Sequence, residues 1–294
     1  MRNQEKIPIG YILTILAYFI WGALPIYWKL LKDVTPIEIL FHRILWAFLF
    51  LSIISFIKYR SYLSGIIKDK SKWKLLLFSS LLIGVTWYVF IYAISINRIL
   101  DASLGYYINP LVSVILGVIF LKEKLSRIQI IAVLFAVIGV GYMTINYNRL
   151  PILSLVLALS FGLYGLMKKI LKVKPIPALL IETALLLPLF LGIFYFSLPN
   201  PRQISFLSIS PKIDFLLIFS GVVTFTPLIL FGKGANLIPL KSVGFIQYIA
   251  PTFMLLIGVL MYKEPFTQTH IISFGFIWTA LVIYSWSVLK PGLT

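Results

Sequence analysis

The stretch SLGYYINPLVSVILGVIFLKEK, residues 103–124, decides the fold, because a related stretch, GFIQYIAPTFMLLIGVLMYKEP, returns as residues 244–265. The two copies share a tyrosine, a proline, a glycine and a Lys-Glu pair. These matches are Tyr107 and Tyr248, Pro110 and Pro251, Gly117 and Gly258, Lys122 and Lys263, and Glu123 and Glu264. Each copy is a long apolar run, so the repeated unit is a row of membrane helices. Two related membrane halves in one polypeptide are typical of a transporter.

The repeat extends to the beginning of each half. Trp21, Gly22, Lys29 and Lys32 match, in the same order and spacing, Phe161, Gly162, Lys169 and Lys172. The chain is therefore predicted to consist of a first repeat over residues 9–147 and a second repeat over residues 150–289.

Composition places the chain in a membrane. The 294 residues are 60% hydrophobic and only 12% charged, which leaves too few polar residues to cover a soluble surface. The first apolar segment, residues 9–28, is longer than a signal-peptide core and precedes no small-residue cleavage pattern, so we expect a retained helix. We predict an all-α integral membrane protein.

Several kinds of catalytic chemistry have no sequence basis. The chain has no cysteine, which excludes disulfides, thiolate metal sites and a cysteine nucleophile. It also lacks the phosphate-loop motif, the His-Glu-x-x-His motif and the Gly-x-Ser-x-Gly motif. The chain is therefore predicted not to be an enzyme and to use no cofactor or metal. Energy for any transport must come from a gradient.

Ten apolar runs are long enough to cross a bilayer. They cover residues 9–28, 37–57, 75–97, 102–121, 128–147, 150–167, 177–196, 214–237, 242–262 and 269–289. Five helices in each repeat is an odd number, so the second repeat begins on the opposite side of the membrane from the first. We therefore predict two inverted five-helix repeats, with a substrate site near the midplane between them that opens alternately to either side.

Lysine and arginine residues set the orientation, because they resist translocation. With the N-terminus inside, 17 basic residues fall on the cytoplasmic side and 7 outside. The inner group lies in residues 2–6, 58–74, 122–127 and 168–174, and at Lys241 and Lys290. Both termini are therefore predicted to be cytoplasmic. The net charge of +17 then reflects attraction of the inner loops to anionic lipid and no binding of nucleic acid.

Charged residues inside apolar runs are the strongest sign of a site, because each costs about 2.5 to 3.5 kcal/mol at a helix centre. His42 and Arg43 lie in the second run, Glu182 in the seventh and Lys233 in the eighth. Either they line a polar cavity, or they are structural, with Arg43 the expected partner of Glu182 and Lys233 snorkelling to an interface. His42 also shares a helix face with Glu38 and Trp46, which could be an interfacial cluster.

Aromatic and amide side chains give a second set of candidates. Those on the first and third helices either line a cavity or pack. The central prolines, Pro110 and Pro251, are expected to kink the fourth and ninth helices, and the neighbouring amides either satisfy the freed carbonyls or bind substrate. The predicted cavity residues are Tyr18, Trp21, His42, Arg43, Trp87, Tyr88, Tyr106, Asn109, Glu182, Gln247 and Tyr248.

Five segments carry a family resemblance: AYFIWG (17–22), EILFHRILW (38–46), ASLGYYINPLVSVILGVIFL (102–121), LIET with LLP (180–188) and GFIQYIAPTFM (244–254). In this order and spacing they resemble the RarD, or chloramphenicol-sensitive-protein, branch of the drug/metabolite transporter superfamily. The resemblance implies two five-helix EamA-type repeats, cytoplasmic termini, a bacterial plasma membrane and a permease role with a link to chloramphenicol. Asp101, Tyr106, Asn109, Pro110, Gln247, Tyr248 and Pro251 match the pattern of this branch. Lys233 departs from it.

The predicted function is a secondary transporter that moves a small amphipathic metabolite or drug by alternating access. Its partners are then a small-molecule substrate and the lipid bilayer, and the sequence specifies no oligomeric state. The alternative from another class is a non-transporting membrane scaffold. A scaffold predicts that the polar residues pair among themselves and leave no path for solvent.

Overall fold

The computed structural model describes residues 6–122, 126–148, 150–197, 204–235, 237–238 and 246–289, and the regular structure in these ranges is helical. We number the α-helices α1 Lys6–Lys29, α2 Pro36–Lys58, α3 Arg60–Lys68, α4 Trp73–Ser95, α5 Ile99–Leu121, α6 Arg127–Tyr147, α7 Ile152–Leu171, α8 Pro175–Ser197, α9 Pro211–Ala235, α10 Ile249–Leu256 and α11 Gln268–Leu289. A 3-10 turn at Lys70–Lys72 precedes α4, and a π-helical turn at Ile257–Met261 follows α10.

Eight of these helices are long and apolar enough to cross a membrane: α1, α2, α4, α5, α6, α8, α9 and α11. This confirms the predicted all-α, multi-pass membrane class. The sixth and ninth predicted spans correspond to two shorter apolar stretches, Ile152–Lys168 and Ile249–Met261. Residues 242–245 of the ninth predicted span lie outside the described residues. At 1.5 Å per residue the two stretches are about 26 Å and about 20 Å long.

Local sequence explains where the helices begin. Thr35 caps α2 by accepting a hydrogen bond from the Glu38 amide at 3.4 Å, and Pro36 occupies the first helical position, where no amide proton is needed. At α6, the Ser126 hydroxyl accepts from the Gln129 amide while the Gln129 side chain accepts from the Ser126 amide. This reciprocal capping box fixes the start of α6.

The segment predicted as a cytoplasmic loop, residues 58–74, contains the short helix α3. Ile66 of α3 is buried in a small cluster with Leu76, Leu171 and Ile181, which attaches the helix to α4, α7 and α8. A nine-residue helix is too short to stand out as an apolar run, so the sequence pattern did not predict it.

Helix contacts come in matched pairs across the two repeats. In repeat order, α1, α2, α4, α5 and α6 are equivalent to α7, α8, α9, α10 and α11. The contact of α1 with α9 then has its equivalent in the contact of α4 with α7. In the same way, the α1–α10 contact is equivalent to α5–α7, and the α2–α9 contact to α4–α8. Equivalent helices also contact each other. Helix α2 contacts α8, α6 contacts α11, and α5 contacts both α10 and the π-turn that follows it. The two repeats are therefore interleaved and share one core.

Two glycines show this correspondence at the level of atoms. A Cβ built on Gly22 of α1 would lie 2.8 Å from Phe253 and 3.0 Å from the backbone oxygen of Ala250. A Cβ built on the repeat-equivalent Gly162 of α7 would lie 3.0 Å from Val112, which occupies the position in α5 that Phe253 occupies in α10. Glycine permits close helix approach at both equivalent places.

Candidate functional site

Arg43 and Glu182 are two of the buried charged residues, and they occupy equivalent positions in the two repeats. Each lies seven positions after the proline that begins its helix, Pro36 in α2 and Pro175 in α8. Arg43 is 5% exposed and Glu182 is fully buried. Their surroundings differ: the Glu182 carboxylate has hydrogen-bond donors around it, whereas two nitrogens of the Arg43 guanidinium have no acceptor among the described residues.

Glu182 accepts three hydrogen bonds from two neighbouring helices. Ser79 Oγ of α4 donates at 2.5 Å, and from α7 Lys168 Nζ donates at 2.5 Å and Tyr164 OH at 3.2 Å. The Lys168 ammonium also lies 4.8 Å from the centroid of the Tyr164 ring. The carboxylate thus has a cationic partner and two hydroxyl donors, which together offset its burial.

The expected pairing of Glu182 with Arg43 is therefore wrong, and helix geometry gives the reason. Phe41 of α2 stacks on Phe194 of α8 with ring centroids 4.9 Å apart, near the start of one helix and the end of the other. This contact means that the two helices run antiparallel, so two residues further along α2 corresponds to two residues back along α8. Arg43 therefore lies level with residue 192. That is ten residues from Glu182, or about 15 Å along the helix axis.

Arg43 lies instead between two tryptophan rings. Its guanidinium carbon is 4.4 Å from the ring centroid of Trp87 on α4 and 5.1 Å from that of Trp28 on α1. The phenols of Tyr27 and Tyr106 lie within electrostatic range of the same group. A desolvated cation–π contact contributes about 2 kcal/mol.

Arg43 Nε and Nη1 are buried without a hydrogen-bond acceptor among the described residues. The indole Nε1 of Trp28, on a ring that faces the guanidinium, is also buried without an acceptor. Buried donors of this kind normally find an acceptor, because leaving one unsatisfied costs about 1 to 3 kcal/mol. The structure therefore brings together Arg43, Trp87 and Tyr106, three of the predicted cavity residues, and adds Trp28 and Tyr27.

His42 points to a different neighbourhood. Its Nδ1 accepts a hydrogen bond from Trp46 Nε1 at 3.1 Å, and its ring lies 4.7 Å from that of Phe206. Glu38, one turn earlier, accepts from the backbone amides of Ser205 and Phe206 at 2.8 and 3.0 Å. The Glu38-His42-Trp46 face thus holds the segment before α9 against α2, which favours the structural interpretation of His42.

The aromatic candidates divide into separate groups. Tyr18 and Trp21 of α1 pack on each other at 5.1 Å and on Phe231 of α9 at 5.6 and 5.7 Å. Tyr88 is 37% exposed and stacks on Tyr92. Lys233 is exposed near the end of α9, as expected for a snorkelling residue.

Asn109 has a use that the sequence did not suggest. Its side-chain amide nitrogen donates to the Ala158 carbonyl at 3.1 Å and so connects α5 to α7. The carbonyl that Pro110 leaves without its helical partner is that of Tyr106, so Asn109 does not donate to it here. Gln247 is partly buried in the turn before α10. Tyr248 stacks on Tyr107 at 6.5 Å.

The two prolines occupy different helical positions. Pro110 lies inside α5. Pro251 lies in the first turn of α10, where the missing amide proton costs little. Its carbonyl accepts a hydrogen bond from Ser103 Oγ at 2.8 Å, which connects α10 to α5.

Sequence reasoning missed a pocket of about 220 Å³ whose lining includes the polar residues Asn97, Asp101, Glu264 and His270. Glu264 accepts hydrogen bonds from the amides of Ile99 and Leu100 at 2.7 and 2.8 Å, and so caps α5. Burial raises the pKa of the Glu264 carboxyl above its ordinary value. The Lys-Glu pair that recurs in both repeats could have pointed to Glu264, but we used the pair only to match the two repeats.

Comparison with known proteins agrees with this architecture. The model of the EamA-like transporter family matches twice, over residues 8–145 and 149–286. A solved crystal structure aligns with a TM-score of 0.58 over 94% of this chain and 97% of its own, at 13% identity, so the two share the fold alone.

Relatives of known sequence are much more similar. The uncharacterized transporter YojE of Bacillus subtilis is 42% identical over 289 residues, which cover 96% of this chain and 95% of the relative. Protein RarD of Escherichia coli is 41% identical over 277 residues, or 94% of this chain and 93% of the relative. The chain belongs to the EamA-like transporter family. The resemblance to the RarD branch of the drug/metabolite transporter superfamily is thereby confirmed.

Proposed function

We propose that this protein is a secondary transporter that moves a small amphipathic metabolite or drug by alternating access of a midplane cavity. In this proposal the two shorter apolar stretches also enter the membrane, giving ten spans in two inverted repeats over residues 9–147 and 150–289. Membership of a transporter family supports transport, and the matched helix contacts between the repeats support the symmetry that alternating access requires.

The observation that carries the proposal is Arg43, which is buried between helices without a counter-charge among the described residues. A non-transporting scaffold is expected to pair its buried polar groups internally, as Glu182 and Lys168 do. An intramembrane charge left unpaired is retained at a cost to stability, and such charges mark substrate paths. We place Arg43, Trp87 and Tyr106 on that path, with Gln247 and Tyr248 in the opposite repeat.

Location and cargo belong to the same proposal. The bias of basic residues favours an inner bacterial membrane with both termini in the cytoplasm. A relative from Pseudomonas aeruginosa, 26% identical over 282 residues, is named chloramphenicol-sensitive protein RarD. Chloramphenicol therefore belongs among the solutes to be tested for this chain.

A cysteine accessibility scan tests the cavity, and the chain is suited to it because it has no native cysteine. We expect Asn109→Cys and Gln247→Cys to react with a membrane-impermeant thiol reagent, each more strongly from one side. Val137→Cys is the matched control, because Val137 is 60% exposed on an apolar helix and should face lipid. Absence of reaction at both positions from both sides would instead favour a scaffold.

A further inference from the structure

We propose that Arg43 anchors an anion subsite, which binds the carboxylate of a small organic acid between Trp28 and Trp87. The inference rests on the proposed transport function and specifies the substrate class for the same site. It starts from the unsatisfied donors: Arg43 Nε, Arg43 Nη1 and Trp28 Nε1. All three are hydrogen-bond donors, so the missing ligand is an acceptor.

No carboxylate in the described part of the chain is available to Arg43. Of the nine acidic residues, Glu5 and Glu123 lie outside the described residues, and Asp33 is exposed in the turn after α1. The other six bind elsewhere: Glu38, Asp69, Asp101, Glu182, Asp214 and Glu264. The positive charge of Arg43 is therefore uncompensated by these residues.

The charge cannot be removed by losing a proton, because arginine stays protonated in proteins. The two tryptophan faces attract the cation, but indole nitrogen is a donor only and supplies no hydrogen-bond acceptor. A carboxylate supplies the missing charge and accepts two parallel hydrogen bonds from a guanidinium. The aromatic walls would at the same time contact an apolar part of the solute.

The Glu182 centre is an internal comparison. There the same chain satisfies a buried charge fully with its own Lys168, Ser79 and Tyr164. This fold can therefore pair a buried charge internally at the equivalent position of the other repeat. The absence of such a partner among the described residues around Arg43 points to a ligand that comes and goes.

The test is the thermal unfolding midpoint of the purified full-length protein at fixed ionic strength and chloride concentration. Acetate, phenylacetate and indole-3-acetate are each compared with the corresponding primary amide, which has the same shape without the charge. We expect at least one acid to raise the midpoint by several degrees and its amide not to do so. Arg43→Gln should abolish this response, and Lys32→Gln, which removes an exposed positive charge, should retain it.

A second variant needs no ligand. In Arg43→Met an unpaired buried charge is replaced by an apolar side chain of similar length, so the ligand-free midpoint should stay equal or rise. A fall of several degrees would show that Arg43 is structural and would overturn the proposal. The proposal also fails if no acid in the panel stabilises the protein, or if Arg43→Gln responds like the wild type.

The same measurements separate this proposal from the transport function. If acids and amides stabilise the protein equally and both enter proteoliposomes, transport stands and the anion subsite is wrong. If an acid stabilises the protein through Arg43 but no solute crosses the membrane, the subsite stands and transport is wrong.

Discussion

At the scale of single residues, the chain treats two of its buried charges, Glu182 and Arg43, in opposite ways. Glu182 is held by three donors from α4 and α7, whereas Arg43 has two aromatic faces and no acceptor among the described residues. The first arrangement connects helices of different repeats, because Ser79 belongs to the first and Glu182 to the second. The second arrangement leaves Arg43 Nε and Nη1 available to an acceptor from a ligand.

The Glu182 pair should matter for stability. Glu182→Gln removes the ionic partner of the partly buried Lys168 and the charged acceptor of Ser79 and Tyr164, and should lower the free energy of unfolding by about 1 to 3 kcal/mol. The double variant Glu182→Leu with Lys168→Met should recover most of this loss. Thermal unfolding and transport per folded molecule measure the two effects. A fully stable Glu182→Gln protein that no longer transports would place Glu182 on the substrate path instead.

Glu264 gives a prediction about pH. Burial raises the folded-state pKa of its carboxyl above the ordinary value of 4.5, although the amides of Ile99 and Leu100 oppose that shift, as does nearby Lys29. A raised folded pKa means that its contribution to stability is present below pH 4.5 and is lost as pH rises through the folded value. Wild-type stability should therefore decline more steeply than that of Glu264→Gln from pH 4.5 upward. Parallel unfolding curves for the two proteins would contradict this assignment.

At the scale of helices, close contacts at glycine fix how the repeats interleave. Gly22 of α1 lies against Phe253 and the Ala250 backbone of α10, and backbone atoms cannot move aside as a side chain can. Gly275 of α11, in contrast, has open space where a Cβ would be.

We expect Gly22→Ala to destabilise the protein by about 1 to 3 kcal/mol through overpacking. Gly275→Ala, the matched control, should be neutral or stabilise by about 0.5 to 1 kcal/mol, because alanine favours the helix. Unfolding midpoints of the two variants give the comparison. Equal midpoints would mean that α1 and α10 are not in tight contact.

The helices also show which features the sequence could predict. Apolar runs gave the membrane class and nearly every helix, because lipid requires long apolar segments. The ionic partner of Glu182 was missed because α7 continues to Leu171, past the predicted end at residue 167, and thereby places Lys168 inside a helix. The error about Arg43 was avoidable, because the inversion that we proposed would itself place equivalent residues at opposite depths.

At the scale of the whole molecule, the matched contacts describe two interleaved repeats. No sequence pattern could have located the unpaired donors around Arg43, because that finding depends on what every neighbouring helix contributes. Trp87 was among the predicted cavity residues because it belongs to the aromatic group on the third predicted helix, and Tyr106 because it lies beside the central Pro110 on the fourth. The contact of Trp28 with the Arg43 guanidinium followed only from the three-dimensional arrangement.

Orientation is a prediction at this scale. A single cysteine at Lys70, in the turn before α4, should react with an impermeant thiol reagent only after the cells are permeabilised, because this segment is rich in basic residues. A cysteine at Asp33, in the turn after α1, should react in intact cells. The reverse pattern would mean that both termini face outward.

The central claim, that this chain carries a solute across the membrane through a site containing Arg43, is tested most directly by uptake into proteoliposomes. The solutes are amino acids, nucleobases, chloramphenicol and the three organic acids, with empty liposomes as the blank. We predict saturable uptake of at least one solute by the wild type, and its loss in Arg43→Met protein that has an unchanged unfolding midpoint. Uptake equal in wild type and Arg43→Met, or no uptake above the blank by folded protein, would contradict the account.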